Sequence, residues 1–500
     1  MLKIDNLTII TNKGRKLVDD FSFVLNDGDK VALIGEEGNG KSTLLKIIAG
    51  LQTDSYVSYS GRIFSDGGIG YLPQSIDEDW LDMSVEEFIA EELDYSILYE
   101  ILNRIHIDYQ FMAGRIMRTL SGGERVKVSL VEMLYRKPDI LLLDEPSNDL
   151  DLKTLIWLEE FIRNTDKALI FVSHDETLLG NCANGILHLE QLKRKSETHL
   201  AYSGLGYEEY IQTRNAFISR NNMIAAKEKA QLNKQLEKWR KIYQSVEHRQ
   251  NTISRADPHG GQVLKKKMHA IKAQGRNIEE KKKNLTARYE PEEAIDVFFD
   301  DVDINPNKVI LDLNLKQLKI KDRILSSDIR LYTEAKDKIC IIGDNGSGKS
   351  TLIKIIKDQL LQRDDIKAGY MPQNYYEVMD YNVKVLDYLW DGRNTAQRSR
   401  VQSFLGALRF TSEEMEHTVG ELSDGQKCKI LLVKLILDHC DVLILDEPTR
   451  NLSPLSGPVI RNILKEFGGC IISVSHDRKY IAEVAQKVYE LRQNGLILMD

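Results

Sequence analysis

Gly35-Glu36-Glu37-Gly38-Asn39-Gly40-Lys41-Ser42-Thr43 follows the apolar run Val31-Ala32-Leu33-Ile34 and leads into Leu44-Leu45-Lys46-Ile47-Ile48. A short, continuous apolar run reads as a buried parallel strand, and the residues after the loop read as a helix. The loop between them fits G-x-x-x-x-G-K-[ST]. Its glycines let backbone N–H groups converge on phosphate at a helix N-terminus. Lys41 is placed to reach the β- and γ-phosphates and Ser42 to ligate Mg²⁺. One such loop could be an ordinary glycine-rich turn. It returns, however, as Gly343-Asp344-Asn345-Gly346-Ser347-Gly348-Lys349-Ser350-Thr351, again after an apolar pair, Ile341-Ile342. The nucleotide-binding candidates are therefore Gly35, Gly38, Gly40, Lys41, Ser42 and Thr43, and in the second copy Gly343, Gly346, Gly348, Lys349, Ser350 and Thr351.

The repetition extends well past the loops. Ser121-Gly122-Gly123 returns as Ser423-Asp424-Gly425, Asp144-Glu145-Pro146 as Asp446-Glu447-Pro448, and Ser173-His174-Asp175 as Ser475-His476-Asp477, each at an offset of 302 residues; the loops themselves are offset by 308. Ordered matches at nearly one offset mean two homologous domains, about 1–203 and 297–500, with an insert at 204–296.

Ile140-Leu141-Leu142-Leu143 and Val442-Leu443-Ile444-Leu445 are apolar strands that end in the acid pairs Asp144-Glu145 and Asp446-Glu447. The aspartate suits the Mg²⁺ shell. The glutamate, one residue on, points to the other face of the strand end and suits orientation of the attacking water. His174 and His476 each end a further apolar run. A structural histidine would be the plain reading of either one alone; the repeated setting favours a hydrogen bond to the γ-phosphate.

The chain has 500 residues, 42% hydrophobic and 29% charged, a balance that suits soluble globular domains. No run of 18 apolar residues is present, and the N-terminus lacks a signal-peptide pattern. The five cysteines form no CxxC pair, which argues for buried thiols in a reducing cytoplasm. A net charge of −8 argues against nucleic acid as a partner. Its distribution reverses that argument. Tyr207 to Arg288 holds 19 lysines and arginines against 8 acids, a net of +11, leaving −19 for the remainder. A basic segment between two acidic bodies is an electrostatic footprint for phosphate backbones.

Within the insert, Leu232, Leu236, Trp239, Tyr243 and Val246 are spaced as an a/d seam, and Leu264, Met268, Ile271, Gly275, Ile278, Lys282 and Leu285 continue the steps with Gly275 and Lys282 as flaws. The cluster Ala256-Asp257-Pro258-His259-Gly260-Gly261 breaks the pattern. The expectation is a pair of antiparallel helices, the first from Tyr207 to Gln250, a tip at about 251–264, and an end set by Pro291. A solvated spacer would mix signs; here Arg249, Arg255, Lys265, Lys266 and Lys267 crowd the tip beside Asp257, Pro258 and His259.

Taken together these residues resemble the ATP-binding-cassette ATPases, over about four-fifths of the chain. The fold implied is α/β, with two P-loop cassettes joined by a long antiparallel α-helical hairpin. Leu120-Ser121-Gly122-Gly123-Glu124 and Leu422-Ser423-Asp424-Gly425-Gln426 look like the two signatures, and Gln74 and Gln373 like the Q-loop glutamines that sense Mg²⁺ and water. The resemblance implies head-to-tail pairing of the two cassettes within one chain. Ser121 and Gly123 would complete the site of Lys349, and Ser423 and Gly425 that of Lys41. Mg²⁺ would be held by Ser42, Asp144 and Gln74, and by Ser350, Asp446 and Gln373. Glu145 and Glu447, with His174 and His476, would be catalytic in an ATPase with two competent sites. Three departures imply unequal sites and loose base selectivity. Asp424 replaces the first signature glycine, Ser453 stands where the first copy has Asp151, and no aromatic precedes either loop.

A double cassette with a basic helical linker resembles the ABC-F family, which acts on ribosomes. Only 46 residues separate Gln74 from Ser121 and 49 separate Gln373 from Ser423, leaving no room for the extra arm of several housekeeping members. Glu447-Pro448-Thr449-Arg450-Asn451-Leu452-Ser453-Pro454-Leu455-Ser456 looks like the Lsa/Vga-type resistance branch. The implied activity is ATP-dependent protection of the bacterial ribosome, in the cytoplasm. The linker would enter the exit site toward large-subunit rRNA and P-site tRNA, and dislodge lincosamides, pleuromutilins and group A streptogramins. The chain would be a monomer with no membrane partner. Two alternatives use the same cassettes: a translation factor that relieves stalled ribosomes without drug, and the ATPase subunit of a membrane importer, which would not explain a basic linker of this length.

Overall fold

The apolar runs become the central strands of two sheets with one topology. In the first, Ile69–Leu72, Ile140–Asp144, Ala168–Val172, Lys30–Ile34 and Gly185–Leu192 lie side by side and parallel, and Glu197–Ser203 closes the edge antiparallel. In the second, the order is Ala368–Met371, Val442–Asp446, Cys470–Val474, Lys338–Ile342 and Lys487–Arg492, with Gly495–Met499 antiparallel at the edge. Every residue of Ile140–Asp144, Ala168–Val172, Val442–Asp446 and Cys470–Val474 is buried. A strand covered on both faces requires such an uninterrupted apolar run.

The computed structural model describes the chain except residues 52–56, 149, 193–196, 253–257, 290, 292–297, 301, 322, 391, 393–394, 409 and 500. Two compact units result: Met1–Tyr207 with Glu292–Asp500, and Glu208–Pro291. In the first unit, helix α1 (Lys41–Ile48) begins with the lysine of the phosphate loop, α2 (Gly122–Tyr135) begins in the signature, and α3 (Leu152–Asn164) follows Asp151. Beside its main sheet lies an antiparallel sheet in the order Lys16–Leu25, Leu2–Thr11, Val57–Ser65. The insert supplies α4 (Tyr207–Thr252) and α5 (Pro258–Lys283). The second cassette has α6 (Lys349–Leu361) and α7 (Asp424–Leu437), with a two-stranded ribbon, Val309–Ile320 and Arg323–Glu334. All five cysteines are buried and free, and among the described residues no helix is long and apolar enough to cross a membrane.

The second unit corrects the sequence reading in three places. Residues 258–264, expected in the tip loop, are helical: Pro258 is the first residue of α5, where its missing N–H has no partner to lose. Arg255 and Asp257 lie outside the described residues. The second helix ends at Lys283, well before Pro291. Side chains of α4 compete for the backbone that follows. Thr286 N donates to Glu228 Oε2 at 2.8 Å, Tyr289 N donates to Asn222 Oδ1 at 2.9 Å, and Asn222 Nδ2 donates to Tyr289 O at 3.0 Å.

Gly275 is also no flaw. The Trp239 ring lies against it, and Trp239 Nε1 donates to Ile271 O at 2.8 Å. A Cβ at 275 would sit 2.9 Å from the indole. The helix gives up about 1 kcal/mol of propensity at this glycine so that the largest seam side chain fits. Gly275→Ala should therefore destabilise the hairpin despite alanine's better propensity, by about 1–3 kcal/mol from overpacking. A raised helical melting temperature by circular dichroism would refute this packing account.

Candidate functional site

Each phosphate loop ends in a glycine that only a left-handed backbone satisfies: Gly40 has φ 98° and Gly348 φ 101°, each N-capping the helix that begins with the lysine. Lys41 Nζ donates to Gly35 O and Glu36 O at 2.8 and 3.1 Å, and Lys349 Nζ to Gly343 O and Asp344 O at 2.8 and 3.0 Å. The ammonium groups are thus held over their own loops. Ser42 Oγ donates to Asp144 Oδ1 at 3.1 Å, and Ser350 is likewise hydrogen-bonded to Asp446. A hydroxyl and a carboxylate converging at the foot of a phosphate loop are hard oxygen donors that fit Mg²⁺. Asp446 Oδ1 is buried without a protein partner, which suits a cation ligand. The residues present therefore fit ATP with Mg²⁺.

The two halves meet head to tail. A cavity of about 550 Å³ is lined by Gly346, Lys349, Ser350, Gln373, Glu447 and His476 of the second cassette and by Gly122, Arg125, Ser147 and Asn148 of the first. Ser121 and Ser423 N-cap α2 and α7, each in a capping box, so the signatures present helix N-termini. Ile320 and Leu325 form the cavity wall beyond the glycines, and Leu17 lies against Gly40 in the first site. These side chains are aliphatic, in keeping with the lack of an aromatic in the sequence.

The catalytic candidates differ between the sites. Glu145 accepts from Gln74 Nε2 at 2.9 Å and from Asn148 Nδ2 at 2.5 Å, and His174 Nε2 lies 2.8 Å from its other oxygen. Burial pushes Glu145 up, but His174 and its other partners outweigh that and hold it at about 2. Among the described residues, Glu447 accepts the backbone N–H of His476, at 3.2 Å, and the His476 ring stands 3.8 Å away. Burial raises Glu447 to about 8, and burial together with Lys349 lowers His476 to about 4. Both glutamates have positive φ, 51° and 55°, so a turn rather than strand alternation aims them. His174 Nε2 faces Glu145, while among the described residues its Nδ1 is buried without a partner; the His476 ring, 3.8 Å from Glu447, is beyond hydrogen-bond reach of it. Asp424 pairs with Lys427 at 3.0 Å, which offsets the carboxylate that replaced a signature glycine.

The boundary between the cassettes holds residues that the sequence reading missed. Glu36, in the first phosphate loop, pairs with Lys429 of α7 at 2.7 Å and accepts hydrogen bonds from Ser453 Oγ and, at 2.6 Å, Ser456 Oγ. Burial pushes Glu36 up, yet Lys429 and the hydroxyls hold it at about 2. In the other site Asp344 pairs with Lys153 at 2.8 Å. Farther out, Arg461 meets Glu176 at 2.6 Å, and Arg478 meets Asp175 at 3.0 Å and also Glu159. The substitution at Ser453 was visible in the sequence. Its partner, 417 residues earlier, was not.

A family model described as "ABC transporter" matches the chain twice, at residues 18–148 and 326–450. The ATP-binding protein Uup of Buchnera aphidicola subsp. Schizaphis graminum is 30% identical over 492 residues, spanning 95% of this chain and 78% of that protein. The ATP-binding cassette sub-family F member 2 of Bos taurus is 27% identical over 524 residues, spanning 97% and 80%. Among solved structures, the archaeal ribosome recycling factor aABCE1, in complex with the ribosomal stalk protein aP1, shares the fold. Its TM-score is 0.59 at 17% identity, covering 95% of this chain and 87% of that one.

The two signature glycines are not equally replaceable. A Cβ at Gly425 would lie 2.7 Å from Asn451 O and 2.4 Å from Glu37 Oε2, whereas for one at Gly123 the nearest atoms belong to the Thr154 side chain, at 3.0 Å or more. Gly425→Ala should lower ATP hydrolysis about tenfold or more and Gly123→Ala about threefold or less, since a backbone oxygen cannot rotate away. Steady-state phosphate release from the two variants checks the order; the reverse order would contradict it.

Proposed function

Because the chain belongs to the ABC-F family of tandem ATP-binding-cassette ATPases, we propose that it is the Lsa/Vga type of that family, a ribosome-protection ATPase acting in the bacterial cytoplasm. The cassettes are ATP-hydrolysing domains. The observation that carries the rest is the charge of the helical insert. Arg249, His259, Lys265, Lys266 and Lys267 are all exposed, on a segment of net charge +11 between acidic cassettes. At about 1.5 Å per residue, the 46 residues of α4 span roughly 70 Å, enough to carry these cations deep into a groove of RNA. The relative named for ribosome recycling and the shared double-cassette fold support a ribosomal partner over a permease.

In this reading ATP is bound at both cassette boundaries. Gly35, Gly38, Gly40, Lys41 and Thr43, and their counterparts Gly343, Gly346, Gly348, Lys349 and Thr351, hold the phosphates. Ser121 and Gly123 face the second loop, and Ser423 and Gly425 the first. Ser42, Asp144 and Gln74, with Ser350, Asp446 and Gln373 in the second copy, would hold Mg²⁺, which when bound neutralises phosphate charge. Glu145 and Glu447 orient the attacking water, and His174 and His476 set the position of those carboxylates. The segment near Arg255 to Leu264 approaches the drug pocket at the peptidyl transferase centre, and the drug is dislodged either by direct contact or through shifted rRNA or P-site tRNA.

Two experiments test this. The double variant Glu145→Gln, Glu447→Gln should co-sediment with ribosomes in ATP and remain there; absence from the ribosomal pellet would break the proposed cycle. In cell-free translation stalled by a lincosamide, a pleuromutilin or a group A streptogramin, the purified protein with ATP should restore synthesis. A variant with residues 255–267 replaced by a Gly/Ser loop should bind ATP but not rescue. Rescue confined to drug-free stalled complexes would replace drug protection with the translation-factor reading.

A further inference from the structure

Asp151 and Ser453 occupy equivalent places, immediately after the strands that carry the catalytic acids, yet they work in opposite directions. Asp151 N-caps α3, accepting from Thr154 N at 2.9 Å, and also accepts the backbone N–H of Asn345 in the facing phosphate loop. Ser453 makes the corresponding local bond, accepting from Ser456 N at 3.0 Å. Across the boundary, however, it donates its hydroxyl to Glu36 of the facing loop. At the second loop, Asp151 accepts from the loop backbone, and the loop's own acid, Asp344, pairs with Lys153. At the first loop the segment after the strand has no acid at this place and donates to the loop's Glu36.

The Glu36 carboxylate is fully engaged. One oxygen takes the hydroxyls of Ser453 and Ser456 and the other takes the Lys429 ammonium. Glu36 is 6% exposed and Lys429 6% exposed. Lys429 lies on α7, six residues beyond its cap Ser423. A buried charge surrounded in this way fixes the position of whatever carries its partners, because moving either side leaves a charge without a counter-charge.

We propose that Glu36 is a positioning residue for ATP hydrolysis in the first site, replacing from the phosphate loop the carboxylate that the second site carries at Asp151. Through Lys429 it sets α7 so that Ser423 and Gly425 face Lys41, and through Ser453 and Ser456 it ties down the segment that follows Glu447. Both loops carry an acid at this position, Glu36 and Asp344; where Ser453 stands in place of an aspartate, the loop acid is the one that meets the segment after the strand. The inference concerns the ATP cycle and stands or falls independently of the drug reading.

The test is a set of variants of the full chain assayed for steady-state ATP hydrolysis. Glu36→Gln leaves Lys429 without its counter-charge and should lower kcat about tenfold or more, with KM for ATP changed less than about threefold, because the lost contact orients the signature rather than the phosphates. Ser453→Asp sets a second carboxylate against Glu36 and should cost as much. Combining Glu36→Ser with Ser453→Asp returns the acid to the segment after the strand and should bring kcat back to within about threefold of the parent chain, a strong positive coupling. A Glu36→Gln enzyme with unaltered kcat would overturn the assignment, as would a double variant no better than Ser453→Asp alone. Should Glu36→Gln fail to fold, Ser453→Ala with Ser456→Ala removes only the hydroxyls. That pair should lower kcat severalfold at an unchanged melting temperature, and unaltered kcat there would equally overturn it.

Discussion

In the proposed reading each nucleotide site requires both cassettes. Gly346 and Lys349 line one side of the cavity at the second phosphate loop and Gly122, at the N-terminus of α2, lines the other, while Gly425, near the N-terminus of α7, lies against Glu37 of the first phosphate loop. A nucleotide at either loop would therefore meet a helix N-terminus of the opposite cassette. The duplication, the burial of facing loops and the ion pairs across the boundary all serve this requirement. The strands behind the loops are uninterrupted apolar runs because they must hold loop and catalytic acid at fixed separation.

The same requirement explains how two sites of one ancestry came to differ. The boundary needs a polar tie between each phosphate loop and the segment facing it, but either side can supply the acid. In one place it is Asp151, in the other Glu36. The candidate catalytic glutamates diverge as well. Gln74, Asn148 and His174 surround Glu145 and hold it low, whereas among the described residues Glu447 accepts the backbone N–H of His476 and is pushed up by burial. The cavity described above opens at Glu447, while the loop before Lys41 is packed against Gly425. The sequence departures at Asp424 and Ser453 point to inequality, and the geometry gives it a physical form.

Features encoded within a few consecutive residues were legible in the sequence: the phosphate loops, the acid-terminated strands, the signatures and the repeat that multiplies each of them. The hairpin was legible as a seam, because apolar spacing of 4 and 3 is a local pattern. What was not legible depends on partners far along the chain. Gly275 reads as a defect until Trp239 is seen against it. The end of α5 is set by Asn222 and Glu228, about 60 residues earlier, and not by the nearby proline. Glu36 occupies a variable position of its loop motif, so nothing local marks it; only Lys429, 393 residues away, gives it meaning.

The arginine pairs at the outer boundary carry one more consequence. Glu159 and Glu176 in the first cassette stand at the repeat positions that Arg461 and Arg478 occupy in the second, each 302 residues on. The pairs Glu176 with Arg461 and Glu159 with Arg478 are therefore equivalent contacts under the pseudo-twofold of the duplication, the glutamate in the first half and the arginine in the second each time, with Arg461 also paired to Glu483 of its own half. A first cassette meeting the first cassette of another molecule would set glutamate against glutamate, and two second cassettes would set arginine against arginine. Like charges at a closed interface carry a heavy electrostatic penalty. At these two positions the duplicated domains thus share a fold but present opposite charges, which favours the pairing of unlike halves.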